Sequence, residues 1–132
     1  MTINDYIKNI KWKSSGGTYP NLNCWGLARL ARHELYGRPL LPAVIDIDAL
    51  DKQGLTDNCQ SIVSHNLKPV DNPAPGDLAT VWRNKLCQHI ALVVEIDARL
   101  AILEIADHNG AKWQWLTDWA SRHTRVIYYA DN

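Results

Sequence analysis

Apolar residues recur at helical spacing through Leu27, Leu30, Ala31 and Leu35, with Arg29, Arg32 and Glu34 on other faces, which predicts a helix over 24–36. Asn23 is a good N-cap directly before it, Gly37 a C-terminal cap, and Pro39 a stop just beyond. A shorter lead-in helix is expected over 5–11, with Tyr6, Ile7 and Ile10 as its apolar side. The stretch 12–22 is rich in loop formers, and its paired glycines Gly16 and Gly17 allow backbone conformations that other residues resist. It should wrap close to residue 24. From 43 to 68 the pattern is weaker: 46–52 reads as helical, and 57–66 as a second helix or an irregular edge.

The turn chemistry of 70–77 then delivers the chain into strands. Residues 78–82 read as a strand from their β-branched content, and the apolar runs 89–95 and 100–105, separated by Ile96-Asp97-Ala98-Arg99, read as a hairpin with a short loop. A further strand is expected over 112–116, with Trp113 and Trp115 on one face, and a terminal strand over 126–129. Helices first and an antiparallel meander afterwards make an α+β layout, the 24–36 helix packing on one face of a sheet of about five strands. With no repeat, low-complexity tract or charge run, residues 1–132 read as a single domain.

Charge narrows the range of partners. Fourteen Lys+Arg balance fourteen Asp+Glu, so no overall field selects nucleic acid or an acidic membrane. The first residues lack an apolar core of signal-peptide length, and no run is long enough to span a bilayer, so the expectation is a chain made in the cytoplasm without membrane insertion. Cys24, Cys59 and Cys87 make an odd number without C-x-x-C spacing, which argues against a disulfide framework or a structural zinc site. Six Trp, five Tyr and no Phe favour half-exposed aromatic positions, such as the walls of a groove for a polar, extended ligand, although several must simply fill the core.

Cys24 stands out because it occupies the first turn of the 24–36 helix. There the unpaired backbone N–H groups and the positive end of the helix dipole favour thiolate over thiol. The plain alternative is a buried, inert cysteine closing a core helix. A cysteine nucleophile needs a base within hydrogen-bond reach, and that base needs a third group to orient it. Of the five histidines, only His89 opens a strongly patterned strand, just after the polar turn 83–85. Cys59 and Cys87 lack a helix-start context and default to structural thiols, with Cys87 a rival to Cys24 because it lies two residues from His89.

These motifs jointly resemble the NlpC-type cell-wall peptidases, papain-like cysteine hydrolases, and among them the versions found in bacteriophage tail assembly proteins. The likeness runs in order along most of the chain. Trp12-Lys13-Ser14-Ser15-Gly16-Gly17 resembles the loop before the nucleophile. Cys24-Trp25-Gly26-Leu27, with Leu35-Tyr36-Gly37 and Leu41-Pro42, resembles the nucleophile helix and its exit. Pro75-Gly76-Asp77-Leu78 resembles the turn into the first strand, and His89-Ile90-Ala91-Leu92-Val93-Val94 the histidine strand. This chain has Asn23 where the family usually carries an acidic residue, and Trp12 near the place of a tyrosine whose hydroxyl can assist the oxyanion. The third polar residue lies in the family on the strand after the histidine strand; pairing the hairpin puts Glu104 nearest, with Asp107 and His108 as later candidates, and its task is to accept the Nδ1 proton.

The resemblance implies a cysteine peptidase or amidase that hydrolyses amide bonds in peptidoglycan stem peptides. Its catalytic residues would be Cys24, His89 and Glu104, with Trp12, Tyr19, Trp25 and Trp82 as substrate contacts, and neither metal nor organic cofactor. It further implies action at the bacterial cell wall, in a phage virion or as an antibacterial effector, with tail or secretion-system proteins as partners. Two other classes compete: a papain-like acyl-transfer enzyme or deamidase with a different substrate, and a catalytically silent module that keeps the fold for binding or tail assembly.

Overall fold

The computed structural model describes residues 1–42 and 48–132. Among them, four helices surround a six-stranded antiparallel sheet, and a small three-stranded mixed sheet lies near the N-terminus. Helix α1 (Ile3–Asn9) starts on a capping box in which Thr2 Oγ1 accepts from Asp5 N and the Asp5 carboxylate accepts from Thr2 N. The next segment, expected as loop, contains three two-residue strands: β1 (Lys11–Trp12), β2 (Gly17–Thr18) and β3 (Asn21–Leu22). Strand β3 pairs parallel with β1 and antiparallel with β2.

Helix α2 (Cys24–Tyr36) has the expected ends: Asn23 Oδ1 accepts from Gly26 N at 2.8 Å, and Gly37 closes the helix at φ 63°. The preceding loop does wrap onto its first turn, since Asn23 N donates to Gly16 O at 2.9 Å. Gly16 and Gly26 serve this approach through space, not through positive φ. A Cβ on Gly26 would lie 2.6 Å from Gly16 O, and one on Gly16 would run into the backbone of Asn21. Arg32, expected on a polar face, is fully buried. Its Nη2 donates to both carboxylate oxygens of Asp131, at 2.7 and 2.8 Å, and Nη1 and Nε reach Pro39 O and Gly76 O.

Of the helix expected over 46–52, Asp46 and Ile47 lie outside the described residues, and the helical pattern begins only at Lys52. From there α3 (Lys52–Asn66) is continuous, capped by Asp51, which accepts from Gly54 N at 3.0 Å. The strands of the main sheet are β4 (Leu67–Val70), β5 (Leu78–Arg83), β6 (Leu86–Ile96), β7 (Arg99–Ile105), β8 (Ala111–Trp115) and β9 (Arg125–Asp131), in the order β4-β9-β5-β6-β7-β8. The sixth strand, β4, escaped the pattern because it is a short edge strand containing Pro69, and an edge is where a missing N–H is tolerated. The meander holds for β5 to β8, while β9 returns between β4 and β5. The β6–β7 hairpin turns through Asp97 and Ala98, both at positive φ, as a tight two-residue loop requires. Residues Leu116–Ser121 form α4, which takes up Leu116 from the strand expected there.

The sheet is covered on both faces. One carries the larger core, in which Leu78, Ile90, Leu92, Val94 and Leu103 pack with Leu27, Ala31, Leu55 and Ile62 from α2 and α3. The other carries Ala79, Val81, Ala91, Val93 and Ile102 beneath Trp119 of α4. Period-two alternation along β6 and β7 thus feeds two cores.

Candidate functional site

Strand β6 contains an irregularity that determines where His89 points. Val81 of β5 pairs with His89, but the next residue, Trp82, pairs with Cys87, leaving Gln88 as the extra residue of a bulge. Residues 87 and 89 therefore do not share a face. Cys87 turns into the larger core with Trp82, whereas His89 follows Ala91 and Val93 onto the face under α4. The bulge separates Cys87 from His89, so the spacing that made Cys87 a rival nucleophile does not bring its thiol onto the histidine's face.

The ladder between β6 and β7 runs from Ile96↔Arg99 to Leu92↔Leu103. His89 and Glu104 lie beyond its last pair, near its open end, and on the same face. There Nε2 of His89 donates to Oε1 of Glu104 at 2.9 Å. The ring nitrogen engaged is Nε2, not the Nδ1 expected from the sequence, which leaves Nδ1 for the thiol. Gln114 of β8 donates through Nε2 to the other oxygen, Oε2, at 2.6 Å. The indole of Trp119 lies near Glu104 and favours its charged form, although Nε1 has no partner of standard hydrogen-bond geometry.

The N-terminus of α2 reaches this open end from the opposite face. The Cys24 thiol contacts the His89 imidazole and accepts from the backbone N–H of Ile90, which lies beyond the end of the β6–β7 ladder. Cys24, His89 and Glu104, from α2, β6 and β7, thus form one connected chain. The structure does not bring Asp107 or His108 to it: both are exposed in the turn after β7, where Asp107 Oδ1 accepts from Asn109 N.

Burial opposes ionisation of Cys24, but the bond to His89, the charge of that ring, the Ile90 N–H and the nearby Lys52 ammonium together hold the thiol below its ordinary value. Burial likewise opposes charging of His89. Its bonds to Cys24 and Glu104 and their negative charges outweigh this and push it up to about 9. Glu104 is raised by burial and lowered more by His89, Gln114 and Trp119, so it remains ionised. These three directions describe a thiolate–imidazolium pair backed by a carboxylate. Such a pair can attack a carbonyl carbon and return a proton to a leaving group.

His89 and Glu104 line a cleft of about 890 Å³, open toward the β5–β6 turn and the loop after α4. Cys24, 3% exposed, is not among the residues that line this cleft. Of the four aromatic residues expected to contact substrate, Trp82 borders the cleft, and its Nε1 donates to Thr80 Oγ1 at 2.8 Å. Trp25 is buried in the larger core, Trp12 packs half-buried against that core, and Tyr19 is exposed with its ring edge-on to Tyr6.

Sequence reasoning missed Lys52, Gln114 and His123. Lys52 Nζ donates to Ala49 O and to Gln88 O, so it ties the start of α3 to the bulge that aims His89. His123 packs tilted against Trp119, ring centroids 4.7 Å apart, and lines the same cleft. Alternation along 112–116 placed Gln114 opposite the tryptophans, a usable signal, whereas Lys52 and His123 stand where no sequence pattern points to the site. Among the described residues no cluster of three or more His, Cys, Asp or Glu could hold a metal ion, and no helix is long and apolar enough to cross a membrane. No protein-family model matches the chain. No curated protein matches it either.

Proposed function

We propose that this chain is a papain-like cysteine hydrolase of the NlpC type, acting on amide bonds in peptidoglycan stem peptides. The single observation that carries the reading is the Cys24–His89–Glu104 chain, assembled from three separate elements with the cysteine at a helix start. A nucleophile helix packed on an antiparallel sheet supports the papain-like assignment. In the reaction, the Cys24 thiolate attacks the amide carbonyl carbon while the His89 imidazolium stands ready as acid. The C–N bond breaks as His89 gives its proton to the leaving amine, leaving a thioester on Cys24. His89, now neutral, takes a proton from water, whose oxygen attacks the thioester, and Cys24 departs as thiolate. The backbone N–H of Cys24 serves as one oxyanion donor. Glu104 keeps the imidazole in position and stabilises its charge without itself carrying the proton. The place of action proposed is the bacterial cell wall, with delivery in a phage tail or by a secretion system.

One observation favours a second reading, a binding module that retains the fold without turnover: Cys24 as a residue is buried, 3% exposed. Incubation of purified peptidoglycan with the protein and with Cys24→Ala, followed by mass analysis of the fragments, separates the two. New amino and carboxyl ends that appear only with the intact thiol support the hydrolase. Unchanged peptidoglycan together with retention of the protein on it supports the binding module.

A further inference from the structure

Two of the three thiols take no part in the proposed reaction, and they meet in the larger core. Cys87 N donates to Thr56 Oγ1 at 2.7 Å, which fixes α3 against β6 at that level. Cys59 lies three residues further along α3, on the same side of the helix, and its thiol contacts that of Cys87. Both residues are buried, and both are reduced. A second cleft, of about 330 Å³, is lined by Gln60, the sequence neighbour of Cys59, by Trp82, the cross-strand partner of Cys87, and by Tyr129. Burial raises the Tyr129 phenol, and so does the charge of either thiolate, which places the ring beside the pair. Neither cysteine lines this cleft, but each has a neighbour that does. Cys87 also immediately precedes Gln88, the extra residue of the bulge, and its Sγ donates to His89 O at 3.6 Å. The start of the same α3 is tied to Gln88 O by Lys52 Nζ at 2.9 Å.

We infer that Cys59 and Cys87 form a reversible disulfide when the protein meets hydrogen peroxide, cross-linking α3 to the bulge of β6. Thiols already in contact reach bonding distance by side-chain rotation, without movement of the elements that carry them. Cys59, 5% exposed against 0% for Cys87, is the one a small oxidant meets first. Its sulfur attacks one peroxide oxygen, the O–O bond breaks, and the departing hydroxide takes the thiol proton as water, leaving a sulfenic acid. The Cys87 sulfur then attacks the Cys59 sulfur. The S–S bond forms, the S–O bond breaks, and hydroxide leaves as water with the Cys87 proton. The two thiols lose two electrons, and one peroxide becomes two waters. The link closes a loop that contains β4 and β5, which restricts the unfolded chain, and it removes the S–H donated to His89 O. This chemistry uses neither Cys24 nor turnover, so it is tested separately from the hydrolase reading.

The test treats Cys24→Ala protein, which keeps only these two thiols, with hydrogen peroxide, then unfolds it in iodoacetamide and digests it for mass analysis. The expected product is one pair of peptides joined through Cys59 and Cys87, two hydrogens lighter than the reduced pair and separated again by dithiothreitol. The oxidised protein should run as a monomer on a non-reducing gel and melt about 5 °C above the reduced protein. Cys59→Ala in the same background should show neither the joined peptides nor the rise. The mass measurement on the two-thiol protein needs no further substitution, so it decides the matter even where that variant folds poorly. Wild-type protein should form the same link, with Cys24 outside it. Alkylated thiols at both positions after peroxide, a sulfinic acid on Cys59 without a link, a link between separate molecules, a Cys24–Cys87 link in the wild type, or a melting temperature that does not rise would each overturn the inference.

Discussion

His89 Nε2 meets Glu104 Oε1 at 2.9 Å beyond the end of the β6–β7 ladder, on the sheet face opposite the one covered by α2. In the proposed reaction the carboxylate orients the ring without touching the reacting atoms, which makes it a positioning residue. Glu104→Gln is expected to lower kcat/KM on a stem-peptide substrate by about tenfold to a hundredfold, because an amide oxygen still accepts from Nε2 once Gln114 reorients. Glu104→Ala should cost about a thousandfold. Both substitutions remove negative charge beside the imidazole, so the alkaline limb of the pH profile should move to lower pH. A merely structural role would leave that limb in place.

Under the proposed hydrolase reaction, the Cys24–His89 pair implies a bell-shaped profile. Below the lowered Cys24 value the sulfur is protonated, and above the His89 value, about 9, the ring is neutral and cannot protonate the leaving amine. Activity should therefore fall on the alkaline side near that value. His89→Ala removes the two largest interactions that offset burial and leaves those of the Ile90 N–H and Lys52, so the Cys24 thiol should rise from its lowered value, read as iodoacetamide modification rates against pH. In the wild-type protein at mildly acidic pH, Cys24 should react before Cys59 and Cys87. The His89 shift also bears on stability. That contribution is complete below the ordinary histidine value of 6.5 and is lost as pH rises through about 9.

Asp131 holds the side chain of Arg32, which has no exposed surface, and also accepts from Arg38 Nη1 at 2.6 Å. Asp131→Asn leaves a buried guanidinium without its counter-charge and should cost about 3 kcal/mol, measured as a lowered denaturant midpoint with unchanged slope. Pairing that change with Arg32→Met should recover part of the loss, since an apolar side chain does not need the missing charge.

Gly26→Ala should cost about 1–3 kcal/mol, because the added methyl meets the Gly16 carbonyl and forces the loop away from the first turn of α2. Gly17→Ala is the control. Its Cβ would meet nothing within 4 Å, so its melting temperature should stay close to wild type.

Much of this arrangement was legible in the sequence because it is local. Leu27, Leu30, Ala31 and Leu35 fix α2, Asn23 and Gly37 fix its ends, and two apolar runs parted by a short loop fix the β6–β7 hairpin; these depend on neighbours within a few residues. The same local logic put Cys24 at a helix start and Glu104 near His89, because runs joined by a short loop pair antiparallel and bring the end of the second beside the start of the first.

Other features depended on distant partners. Strand β4 exists only because β9 offers an edge that tolerates Pro69, and the strands β1 to β3 are too short for any period to show. Arg32 looked like a surface charge because its counter-ion lies 99 positions away. The bulge at Gln88, which parts Cys87 from His89, and the lysine that holds it belong to no sequence pattern. Sequence alone thus determined the helix that carries the thiol and the hairpin that carries the histidine and the carboxylate. Tertiary structure decided that α2 begins where the β6–β7 ladder stops, because only the packed sheet sets where one strand's N–H is left for a sulfur to accept.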